Sequence, residues 1–217
     1  MPLIYRIVTF LLMLFGILFV APEFWEAVKM LPRFDIFKWF YLGVGVYVAL
    51  RVMPFLQVNS RWLETTSHEF SHALIGLLFL KDIKSLKVNE NGSGEVWHSG
   101  NGIGKTCISL APYTFPLFTY VLMIISLLLS APVTPMYQVL MGFTFAFHVK
   151  CFAWQTRLDQ TDITSQGLVR SFVFITLFLM LNTAIVLMAT RYGFADGVER
   201  LSKAVLRNFV MLWVKVF

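Results

Sequence analysis

His68-Glu69-Phe70-Ser71-His72 holds two imidazoles four residues apart with a carboxylate beside the first. On an α-helix this spacing sends both rings from one face about one turn apart, where they can share one divalent cation. Glu69 then reaches a water activated by that cation. The metal lowers the water's pKa towards neutrality, and the carboxylate takes its proton during attack on a carbonyl and passes it to the leaving amine. The predicted chemistry is metal-assisted hydrolysis of a peptide bond. A polar helix-packing cluster is the plain alternative. Ionisable groups in an apolar span, however, cost on the order of 2.5–3.5 kcal/mol each, so three together call for a partner such as a metal.

A catalytic zinc takes three protein ligands and leaves a fourth position open, so the two histidines need another partner. His148, Gln155, Asp159 and Asp162 are separated by seven, four and three residues. On a continuous helix they fall within roughly 60° of one another, an inward-facing polar stripe. Asp162 is the first choice for third ligand and Asp159 the second. The plainer roles are helix capping from a wet loop for Asp162 and hydrogen-bonded packing for His148. Glu64, Thr65, Thr66 and Ser67 precede the motif and the uncharged run Ala73–Leu80 follows it. The metal is therefore expected near one membrane face, with water entering from that side. Ser71 is read as a small helix-packing residue.

The elements that must carry these groups are apolar. The chain is 58% hydrophobic, with 22 Phe among 217 residues and only 14% charged, which predicts a polytopic membrane protein with no sizeable water-soluble domain. Candidate spans are Leu3–Ala21, Ile36–Pro54, Leu63–Leu80, Thr106–Ser130, Tyr137–Trp154 and Leu168–Ala189, about six transmembrane helices. Ala131-Pro132-Val133-Thr134-Pro135 predicts a tight turn between the fourth and fifth. Between Asp82 and Gly104, apolar residues interspersed with polar ones around Asn91-Gly92-Ser93-Gly94 predict a short β-hairpin. From Asp196 to Phe217, Val198, Leu201, Val205, Phe209, Leu212 and Val216 recur at helical spacing, an amphipathic helix in the membrane interface. The expected fold class is thus all-α and polytopic, with a β-hairpin-like insert. It divides into N-terminal helices (1–60), a core bearing the motif (61–167) and a C-terminal helix with its amphipathic segment (168–217).

The formal charge of +6 is scattered between apolar runs, which argues against nucleic acid and for loop charges that set membrane orientation. Cys107 and Cys151 lie in apolar stretches without metal spacing and read as packed thiols. Arg6 followed by Ile7–Ala21 resembles a signal sequence. Phe19 and Pro22 disfavour cleavage, which leaves a retained anchor helix.

On the His68–His72 motif in a hydrophobic helix, the polar hairpin after it, the Ala111-Pro112-Tyr113-Thr114-Phe115-Pro116 break and an aspartate two spans beyond the motif, the chain resembles the site-2-protease-like intramembrane metallopeptidases over roughly residues 61–167. The resemblance implies a core of three transmembrane helices that cleaves membrane-anchored protein substrates in or near the lipid bilayer. It also implies zinc held by His68 and His72, Glu69 as catalytic acid/base, and an aspartate from the third core helix, matched to Asp162. Substrate selection would rest on the hairpin, the loops or a regulatory membrane partner. The expected setting is a bacterial cytoplasmic membrane. Two competing functions are a non-proteolytic metal-binding scaffold that keeps the ligands, and a small transporter using buried His and Asp as an ion path.

Overall fold

The structure is a computed structural model and describes residues 3–53, 60–89, 94–98 and 104–216. Its elements are α1 (Leu3–Lys29), α2 (Phe34–Val52), α3 (Ser60–Leu78), β1 (Ile83–Val88), β2 (Gly94–His98), α4 (Lys105–Thr114), α5 (Leu117–Leu128), α6 (Pro135–Gln155), α7 (Thr161–Thr164), α8 (Leu168–Tyr192) and α9 (Phe194–Val216). Each of the six predicted hydrophobic segments is helical over most of its described residues. By length and hydropathy alone, α1 and α8 can cross a membrane, and α4 with α5 makes a third if this pair, bent by 90°, counts as one span. The expectation of six spans is therefore met in part. The reason lies in α2, α3 and α6, which carry charged or polar side chains such as Arg51, Glu64, His68, His72 and Lys150 and so fall short of a simple lipid-facing helix.

Boundaries moved for physical reasons. The first helix passes Ala21 and continues through Pro22 to Lys29, where α9 packs beside it and Asn208 Nδ2 donates to Glu23 Oε1 at 2.9 Å. The predicted span Thr106–Ser130 is two helices, because Phe115 is extended and Pro116 precedes Leu117. Helix α6 opens as its sequence suggests: Thr134 caps it by accepting from the Tyr137 N–H, and Pro135 occupies the first turn, where no donor is needed. Pro54, the predicted end of the second span, and Asn91-Gly92-Ser93 lie outside the described residues.

Helix α2 meets α6 with backbones almost touching. A Cβ at Gly43 would stand 1.9 Å from the Val139 oxygen, and one at Gly142 would stand 2.0 Å from that of Phe40. Around this crossing Phe37, Phe40, Met123, Tyr137, Met141 and Leu187 form the main core. A second core joins Met13, Leu110, Tyr113, Ile163, Phe174 and Ile175. It lies under the candidate site. The hairpin is antiparallel, with Leu86 opposite Val96 and Val88 opposite Gly94. At the other end Leu201 of α9 is buried while Glu199, Arg200 and Lys203 are exposed, the pattern of an amphipathic helix, whereas Phe209 and Leu212 of the predicted apolar stripe are exposed towards its end.

Candidate metal centre

Helix α3 presents His68 and His72 from one face, their ring centroids 4.9 Å apart. Asp162 approaches from α7, with Oδ2 3.4 Å from Nε2 of each histidine. These three residues are brought together, and one ligand atom from each lies within 4.8 Å of the others. Ligands about 2.0–2.1 Å from a tetrahedral zinc stand about 3.3 Å apart, so both histidine–aspartate separations match an edge of that polyhedron.

The hydrogen bonds behind the rings define which nitrogen is available. His72 Nδ1 donates to the Ile108 carbonyl at 2.7 Å. His68 Nδ1 lies 3.1 Å from Gln155 Oε1, and the Gln155 amide nitrogen donates onward to the Glu64 carbonyl at 3.4 Å. With Nδ1 a donor in both rings, two Nε2 lone pairs and a carboxylate face one another. A shared cation satisfies all three.

Glu69 is buried and lines the same cavity as His68, His72 and Asp162. Strand β2 forms another wall, with Gly94, Glu95 and Val96 facing the cluster. A second cavity continues from His68, Glu69 and Gly94 towards Arg61, Trp154 and Arg157. The cleft therefore extends past the cluster between the first turns of α3 and the end of α6.

The polar stripe is a correction. Helix α6 stops at Gln155, the chain turns, and Asp162 re-enters on α7. The anchor of that turn is Ile163, fully buried against the second core, whose carbonyl accepts from Ser171 Oγ at 2.8 Å. Thr106 Oγ1 donates to Gln166 Oε1 at 3.1 Å and ties the same turn to α4. Asp159 is left on the outside, paired with Arg157 at 2.8 Å, whose guanidinium holds its carboxyl below the ordinary range. His148 is buried elsewhere, its Nε2 without a hydrogen-bond partner among the described residues.

Two supporting residues had no clear sequence signal. Tyr113 donates to Asp162 Oδ2 at 3.3 Å and sets its ring edge-on to His68, with centroids 5.6 Å apart. Glu64, one turn before His68, is buried between Lys150 of α6, with which it pairs closely, and Arg51 of α2 at 3.8 Å. Ser71 is buried, and its hydroxyl bonds the Ser67 carbonyl at 2.7 Å, as a packing residue would. Cys107 and Cys151 are free thiols.

A family model described as Peptidase M50B-like matches residues 40–195, more than half of the chain and every residue of the cluster. No curated protein and no solved structure matches the chain.

Proposed function

The chain belongs to the Peptidase M50B-like family, and on that premise we propose that it is an intramembrane zinc endopeptidase that hydrolyses a peptide bond in a membrane-anchored protein. One observation carries this reading: His68 Nε2, His72 Nε2 and Asp162 Oδ2 converge at separations suited to a tetrahedral ion, with Glu69 in the same cavity. In this proposal His68, His72 and Asp162 hold the ion. A bound zinc supplies Lewis acidity, acidifying a water and polarising the scissile carbonyl.

The protein's own groups do the rest. Glu69 takes the proton from the water and returns it to the departing amine. Gln155 and the Ile108 carbonyl hold the two rings, and Tyr113 holds Asp162. Strand β2 and the cleft beside it provide an extended surface for a substrate that has locally unwound, which exposes the carbonyl that an intact helix would shield. We place α1, α2, α3, the α4–α5 pair, α6 and α8 within the bilayer as about six passes, with α9 at its surface and the protein in a bacterial cytoplasmic membrane.

The test is zinc content per chain in detergent-purified protein, beside cleavage of a membrane-anchored reporter. The expected result is about one zinc, lost in His72→Ala and Asp162→Ala and kept in Asp159→Ala. Glu69→Gln should keep zinc and lose cleavage by about 10²-fold or more. A folded wild type without specific zinc overturns the reading. Zinc retained with function intact in Glu69→Gln would instead favour the scaffold.

A further inference from the structure

His72 reaches a backbone oxygen that a regular helix would not offer. In an α-helix the oxygen of Ile108 accepts from the N–H of residue 112, four positions on. Residue 112 is proline, inside α4, and has no N–H. The oxygen left without that partner accepts from His72 Nδ1 at 2.7 Å in a buried contact. Because a carbonyl oxygen can only accept, Nδ1 carries a proton, which leaves Nε2, 3.4 Å from Asp162 Oδ2, as the nitrogen that a metal would use.

We propose that Pro112 is a positioning residue for the metal centre: its missing N–H hands the Ile108 carbonyl to His72, which fixes that ring's tautomer and plane with Nε2 towards the ligand cluster. The inference rests on the zinc reading above. Bending the chain is the other use of a proline in a helix, and it does not account for Pro112. Helix α4 runs through Pro112 to Thr114, and the 90° bend comes only after that, at Phe115 and Pro116. The two histidines thus receive equivalent support by different means. His68 uses a side-chain amide, Gln155 Oε1 at 3.1 Å, whereas His72 uses main chain made available by the residue one turn later. The support for His72 is also the more rigid, since Ile108 and Pro112 are buried in α4 and no side-chain rotamer has to be held.

The experiment compares wild type, Pro112→Ala and Pro112→lactate in the full-length detergent-purified chain. Alanine restores the N–H; lactate, which places a backbone ester at this position, has alanine's methyl group but no N–H. Two readouts are taken: the zinc dissociation constant, and the imidazole 15N shifts of His72 in metal-free protein. Pro112→Ala should weaken zinc about 10–100-fold and shift His72 away from the Nδ1–H form, while Pro112→lactate should match wild type in both. Wild-type behaviour of Pro112→Ala overturns the proposal. So does equal weakening in the two variants, which would assign the effect to the proline ring. If Pro112→Ala does not fold, the ester alone decides: retained affinity and Nδ1–H support the proposal, and their loss overturns it. Failure of wild type to bind zinc would count against the zinc reading, and the 15N readout would still decide what holds His72.

Discussion

Gly94 of β2 lies directly against Glu69 of α3: a Cβ at position 94 would stand 2.5 Å from Glu69 Cγ and 2.8 Å from its Oε1, with Thr65 Cγ2 at 2.7 Å. The hairpin is therefore seated on the proposed acid/base, and its closeness depends on the absence of a side chain. Gly94→Ala must displace either the strand or the carboxylate. We expect turnover to fall by about 10²-fold, the scale of an ångström-level misplacement in an active site. Zinc content should be unchanged, because no metal-binding group is touched. Cleavage rate and metal stoichiometry measured on the same preparation check this.

The bend between α4 and α5 is braced from α8. Asn182 Nδ2 donates to the Thr114 carbonyl at 2.7 Å, and its Oδ1 accepts from the Tyr120 hydroxyl at 2.5 Å. Asn182→Leu removes both bonds at similar volume. The expected loss is about 1–2 kcal/mol, the range for interhelical hydrogen bonds in membranes, read as a lower thermal unfolding midpoint in detergent.

At the crossing of α2 and α6, Gly43→Ala and Gly142→Ala should each destabilise the protein by about 1–3 kcal/mol, since backbone oxygens at 1.9 and 2.0 Å cannot give way as a side chain could. Gly45→Ala is the control, as nothing lies within 4 Å of its would-be Cβ. Equal stability of all three variants would disprove the close crossing.

Glu64 provides a charge-pair test. Lys150→Met leaves the buried carboxylate with Arg51 alone at 3.8 Å, and we expect a loss of about 3 kcal/mol, as when one partner of a buried pair is removed. Adding Glu64→Gln should recover part of it, because no buried charge is then stranded. A double-mutant cycle in detergent measures the coupling; strictly additive losses would show that the pair is not coupled.

The candidate ligand pair is legible because it is local: His68 and His72 need only a helix to share a face. The hairpin was legible for the same reason, from alternation and a glycine-rich turn. Asp162 could be favoured over Asp159 but not separated from it by periodicity, since the distinction comes from tertiary structure. Burial of Ile163 against α4 and α8 breaks α6 after Gln155 and carries Asp162 back to α3, leaving Asp159 outside. Tyr113 and Asn182 were opaque because their polar groups act across 49 and 68 positions of chain, and an apolar run gives no hint of such partners. The number of passes is legible only in part from length and hydropathy, because α2, α3 and α6 carry charges that pair with one another.

The placement of Glu64 also bears on the order in which the molecule can be made. Arg51 precedes α3 in the chain and Lys150 follows it by three helices, yet both charges flank the same buried carboxylate. During synthesis α3 emerges with Glu64, His68, Glu69 and His72 before its second counter-charge or Asp162 exists, each such group costing on the order of 2.5–3.5 kcal/mol in a helix alone in lipid. The helix can settle only when α6 arrives with Lys150 and Gln155. The candidate ligand set is thus complete only once α6 and α7 have emerged, and a truncated chain ending before α6 would hold the motif without a stable place for it.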